Sequence, residues 1–151
     1  MQTHSEIRHV PYTAAQMYDL VADVPKYSEF LPWTAAARIR SETDKGDHKV
    51  MLADLVISFK VFRESFGSRV TLWPEEKRID TEYLDGPFKR MISNWAFSDS
   101  DSGGSDIKFH VDFEFRSRIL QTTATIFFND AMQRVVRAFE RRADALYGPD
   151  R

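Results

Sequence analysis

From Arg118 to Tyr147 the chain runs without a Gly or a Pro, and Leu120, Ala124, Phe128, Ala131, Val135, Phe139 and Leu146 recur at three- and four-residue multiples. Phe127, Met132, Val136 and Ala143 widen the stripe, and Gly148-Pro149 ends it. This is the pattern of one amphipathic helix with a C-terminal stop. At about 1.5 Å per residue such a helix is about 45 Å long, against about 33 Å for a ten-residue strand. It needs a broad apolar surface to lie on.

That surface is written into residues 34–116, where the period changes from helical to alternating. Met51, Ala53, Leu55, Ile57 and Phe59 keep one face, then Phe62, Phe66, Val70 and Leu72, then Ile79 to Leu84, then Met91, Ser93, Trp95 and Phe97. The cleanest run sets Ile107, Phe109, Val111, Phe113 and Phe115 against Asp106, Lys108, His110, Asp112, Glu114 and Arg116, as expected for a strand with one wet face. The turns between the runs, such as Asp44-Lys45-Gly46-Asp47, Asp85-Gly86-Pro87 and the polar segment from Ser98 to Ser105, are too short for parallel crossovers. Successive strands are therefore antiparallel neighbours in a meander. Ahead of them, a strand from His4 to Val10 leads to a helix over Ala14 to Ala22, with Thr13 and Gln16 as a capping box and Tyr12 and Met17 as a staple. Asp23 and Pro25 start a second short helical segment, which Pro32 closes. The expected fold is α+β: a curved antiparallel sheet of six or seven strands around a long C-terminal helix, with two short helices after the first strand. A twisted sheet curled around one helix seldom closes tightly at both ends, so a groove between them is expected.

The 151 residues fit one domain, 1–151. With no Cys, disulfides, thiolate metal sites and a Cys nucleophile are excluded. The 21 Lys and Arg against 23 Asp and Glu leave a net charge of -2, so no cationic excess draws the chain to nucleic acid, and direct DNA binding is not expected. No apolar run is long enough for a membrane-spanning helix. Met1 to Glu6 has neither a basic nor an apolar signal region, so the chain is expected to stay in the compartment where it is made.

Val21-Ala22-Asp23-Val24-Pro25-Lys26-Tyr27, Phe30-Leu31-Pro32-Trp33, Leu84-Asp85-Gly86-Pro87-Phe88 and Trp95-Ala96-Phe97 occur in that order, with Ala138 to Ala143 and Leu146-Tyr147-Gly148 near the end. Together they resemble the coenzyme Q-binding branch of the START-like, helix-grip superfamily, which also holds polyketide cyclases and lipid carriers. The resemblance implies a carrier or chaperone for a polyprenyl, ubiquinone-like quinone, serving respiration or quinone biosynthesis, with no covalently held cofactor. Some bacterial members of the branch are described as toxins that inhibit ribosomal subunit association. The alternative is therefore a protein-binding module acting on a ribosomal subunit, and a third reading is a cyclase-type enzyme using the same pocket.

No residue set reads as catalytic or metal-binding. His4, His9, His48 and His110 are scattered, and His110, Asp112 and Glu114 share a strand face with Lys108 and Arg116, the pattern of a solvated ion-pair ladder. The candidates for a ligand cavity are Phe30, Leu31, Trp33, Phe59, Phe62, Glu64, Phe88, Trp95, Phe97, Phe109, Phe113, Phe128, Met132 and Val136. The aromatics among them either line a cavity or fill it, since periodicity does not report an empty volume. Glu64 interrupts an apolar face: it is either buried as an acid or base for a quinone oxygen, or turned outward by a bulge. Phe30 to Trp33 and Pro87-Phe88 lie at connections near Lys26, Lys89 and Arg90, and form either a gate that touches membrane or two loops packed on each other.

Overall fold

A computed structural model describes residues 2–59 and 62–148. The chain order is β1 (Gln2–Val10), α1 (Ala14–Ala22), a short 3-10 helix (Val24–Glu29), β2 (Thr34–Asp44), β3 (Lys49–Phe59), β4 (Phe62–Trp73), β5 (Arg78–Asp85), β6 (Phe88–Asp99), β7 (Ser105–Phe115) and α2 (Arg118–Tyr147). The helix-grip architecture is the one expected. Seven antiparallel strands make one sheet in the order β1-β7-β6-β5-β4-β3-β2, curved around α2.

One connection departs from a plain meander. β1 pairs with β7, with His4 opposite Val111 and Val10 opposite Ser105. α1 and the 3-10 helix carry the chain from that edge to β2 at the other. The start of α1 is fixed as its sequence indicates: Thr13 Oγ1 accepts from the Gln16 N–H at 3.1 Å, and Gln16 Oε1 accepts from the Thr13 N–H at 2.9 Å. Its buried face is Ala14, Met17, Tyr18, Leu20 and Val21.

The inner face of the sheet carries Met51, Ala53, Val70, Leu72, Ile79, Trp95, Phe97, Ile107, Phe109, Val111 and Phe113, all buried. Burial of each large side chain contributes roughly 1.5–3 kcal/mol, which is what holds helix and sheet together. α2 begins under the Ser117 hydroxyl, which accepts from the Leu120 N–H at 3.3 Å, and lies over β1 and β7 and against α1. Phe128, Val136, Phe139 and Ala143 are buried among its described residues. Leu146, placed on the stripe by its spacing, is instead 52% exposed. The face continues by four-residue steps from Phe139 through Ala143 to Tyr147, whose hydroxyl donates to the Gln16 carbonyl at 3.2 Å.

β1 reverses the usual partition. Its inward side chains are His4, Glu6 and Arg8, half-buried beneath α2, while Ile7 points outward and is 67% exposed.

Candidate ligand-binding groove

The ladder registers bring small residues together across the inner face. Ala53 is opposite Ser68, Val70 opposite Thr81, Thr81 opposite Ser93, and Ser93 opposite Val111. Across four strands, at about 4.8 Å per gap, this gives a floor about 14 Å wide with short side chains. Aromatic walls stand on both sides of it. Towards the turns that precede β5 and β7 lies Trp95, with ring centroids 4.4 Å from Phe109, 6.0 Å from Phe97 and 5.1 Å from Phe139. Towards the start of α2, Phe88 stacks on Phe115 at 4.8 Å and meets Phe66, Tyr83 and Phe113 edge-on at 5.3, 5.5 and 5.8 Å. Phe113 in turn packs on Phe128 of α2 at 5.1 Å. Met132 and Val135, between Phe128 and Phe139 on α2, touch the core and remain half-buried.

Gly86 sets the position of Phe88. Its φ is 136°, and a Cβ there would meet the Phe66 Cβ at 2.6 Å, so the β5–β6 turn can close over Phe66 only with Gly. Beside it the Tyr83 hydroxyl is buried and has no hydrogen-bond partner among the described residues. A buried donor left without a partner costs about 1–3 kcal/mol, so an oxygen supplied by a ligand would offset that cost.

A second polar feature lies under α2. His4 Nε2 and Glu6 Oε1 are 2.8 Å apart, Arg8 Nη1 donates to Glu6 Oε2 at 3.4 Å, and Arg8 Nη2 donates to Glu140 Oε1 of α2. The enclosed space beside this chain of ion pairs is only about 20 Å³ and is lined by Glu6, Arg8, Trp95, Phe109, Val136, Phe139 and Glu140 among others. That is room for about one water. At this position the aromatics therefore fill the interior, and a lipid enters only if they move.

Trp95, Phe97, Phe109, Phe113, Phe128, Phe88 and Val136 converge on the helix–sheet interior, and Met132 borders it. Phe30 lies on the α2 side of the core, 5.3 Å from Phe139 and 6.1 Å from Tyr27, with the Arg142 guanidinium 5.2 Å from its ring. Leu31 packs on the same core, and Trp33, with φ 62°, turns the chain into β2 while its carbonyl accepts from the Ser58 N–H at 2.7 Å. The two loops thus pack inward, each on its own part of the core. Phe59 and Phe62 pair at the end of the β3–β4 hairpin, and their side chains lie outside the described residues. Glu64 matches neither reading of it. It sits opposite Ile57 in unbroken β3–β4 register, on the same face as Phe66, and is exposed because the cover does not reach that end. The bulge in this strand falls at Gly67/Ser68 against β5.

The floor residues Ser68, Thr81, Ser93 and Tyr83, and the His4–Glu6–Arg8–Glu140 chain, are the additions made by the structure. Small residues on an otherwise bulky face and charges alternating through His4-x-Glu6-x-Arg8 were their only sequence signals.

The family model described as polyketide cyclase / dehydrase and lipid transport matches residues 10–140. The chain belongs to this family. Within it, the chain is similar to the Ribosome association toxin RatA of Rickettsia prowazekii, 36% identical over 93% of each chain. It is also similar to the Coenzyme Q-binding protein COQ10 homolog B, mitochondrial, of Xenopus laevis, 33% identical over 96% of this chain and 59% of that one. Among solved structures, an 18 kDa protein of Caulobacter crescentus superposes with a TM-score of 0.82 at 30% identity, covering 99% of this chain and all of the other. The fold is START-like, and the relatives' names describe binding or toxin proteins.

Proposed function

We propose that the protein binds a polyprenyl quinone or a similar amphiphilic lipid between sheet and helix, as a carrier or chaperone for respiration or quinone biosynthesis, without covalent chemistry of its own. The observation that carries this reading is the small-residue floor between two aromatic walls, with the unsatisfied Tyr83 hydroxyl at its edge. A flat oxygenated ring needs flat apolar neighbours and a hydrogen-bond donor, and the inner face offers both. Exchange with a bilayer would use the first half of α2. Residues 119–129 carry no charge, Ile119 and Ile126 are 80% and 70% exposed, and Lys89, Arg90, Arg116 and Arg118 lie at the same end of the sheet. An uncharged helical segment rimmed by cations suits an anionic lipid surface.

A second reading, association with a ribosomal subunit, is favoured by the 36% identity to a protein named for it. Organic extraction of the purified protein followed by mass spectrometry tests the first. A quinone recovered in near-stoichiometric amount supports it, and a protein that carries none and takes up none in vitro refutes it. Co-sedimentation with isolated ribosomal subunits tests the second.

A further inference from the structure

The inward face of β1 points to a selectivity that apolar burial alone does not produce. His4, Glu6 and Arg8 occupy positions where a strand under a helix ordinarily carries apolar residues, and the side chains of His4 and Glu6 are only 13% and 14% exposed. The His4 ring lies 5.9 Å from Phe128 and 6.3 Å from Phe109, and the residue is opposite Val111, itself opposite Ser93 of the floor. His4 therefore stands at the β1 border of the groove between its two aromatic walls, and Glu6, opposite Phe109, at the foot of the Trp95 wall.

The donors and acceptors at this border are unequal. Arg8 gives one N–H from each terminal nitrogen, one to Glu6 and one to Glu140. Among the residues lining the adjoining space, this single guanidinium faces two carboxylates. His4 engages Glu6 through Nε2; with the proton on that nitrogen, Nδ1 is an acceptor. Over His4, Glu6, Arg8 and Glu140 together, roughly nine lone pairs face about six N–H groups, so lone pairs are in surplus here. A ligand oxygen bearing a proton can donate to His4 Nδ1 or to a carboxylate, whereas a carbonyl oxygen brings only more lone pairs to the same place. Burial strengthens the difference, because water competes less for the contact.

We propose that His4 and Glu6 make the groove selective for the reduced, hydroxyl-bearing form of its ligand, a hydroquinone in preference to the quinone. The inference rests on the quinone reading above. If the ion-pair chain merely tied β1 to α2, its loss would lower stability and would leave the ratio of the two affinities unchanged.

The test titrates the protein anaerobically with decylubiquinone and with its dithionite-reduced form, following quenching of tryptophan fluorescence. In the wild type the reduced form binds at least tenfold more tightly. In Glu6→Gln and in His4→Phe, which keeps an aromatic ring between Phe109 and Phe128, the ratio falls towards one. Should both variants fail to fold, the wild type alone still decides. A tenfold preference raises the midpoint potential of the bound two-electron couple by about 30 mV over the free couple. Equal affinities in the wild type, an unshifted potential, or a ratio that survives in folded variants overturns the proposal. Binding of neither form overturns the quinone reading itself.

Discussion

Replacing Tyr83 with Phe separates a structural tyrosine from one that waits for a ligand. The hydroxyl is buried without a hydrogen bond among the described residues, while the ring is held edge-on to Phe88 at 5.5 Å. Tyr83→Phe removes the oxygen and keeps the ring. In the empty protein this relieves an unsatisfied donor at about 1–3 kcal/mol. For a chain of this size each kcal/mol moves the thermal midpoint by about 2–4 °C. A rise of a few degrees is therefore expected by differential scanning calorimetry after delipidation. With ligand bound the sign reverses: one hydrogen bond of about 0.5–1.5 kcal/mol is lost, so quinone affinity falls about two- to twelvefold. The two measurements must move in opposite directions. A delipidated variant less stable than the wild type would show that the hydroxyl is satisfied in the folded protein, and would refute the reasoning.

Three further outcomes are expected. Val136 borders the space of about 20 Å³, so Val136→Phe overfills it and should cost about 1–3 kcal/mol, read as a lowered midpoint together with reduced quinone content in the same preparation. Ile126→Asp should abolish flotation with vesicles containing anionic lipid, whereas Phe88→Ser, which opens the aromatic cluster, should lower stability first; flotation unaffected by the Ile126 change removes the proposed lipid face. Asp54 accepts from Arg40 Nε at 2.7 Å and Nη2 at 2.5 Å, and this bonding holds its carboxyl below the ordinary value of 3.8. A carboxyl depressed on folding stabilises above its unfolded pKa and loses that contribution as pH falls through the folded one. Acid unfolding of Asp54→Asn should therefore show a shallower dependence on pH below about 4 than the wild type, by circular dichroism.

What could be read from sequence follows from the range of the forces involved. The bounds of α2 are local facts: an uninterrupted apolar stripe, Ser117 ahead of it and Gly148 after it. The partition of β7 is equally local, since alternate residues must face opposite sides. The departure of Leu146 from the stripe depends on how α1 meets the last turn, which the helical period does not contain. Glu64 was legible as an anomaly but not as a location, because its exposure depends on where the helical cover stops. The groove floor was hidden for the same reason. Ser68, Thr81 and Ser93 are ordinary residues in their own strands and become one surface only through three ladder registers. The inward charges of β1 could be interpreted only once Glu140 was known to lie above them.

The pairing of β1 with β7 also orders events in time. The first strand to be synthesised has the last strand as its partner, so it must wait for nearly the whole domain to emerge before its backbone finds a ladder. Closing a loop of about a hundred residues rather than about ten costs about 2 kcal/mol more in chain entropy, and sheets completed by such distant contacts form slowly. During that interval the open edge of β7 is a template for any other extended chain. The waiting segment is defended by its own composition. His4, Glu6 and Arg8 keep residues 2–10 hydrated until α2 arrives with Glu140, so the interior charges that border the groove in the finished protein also guard the chain while it is being made.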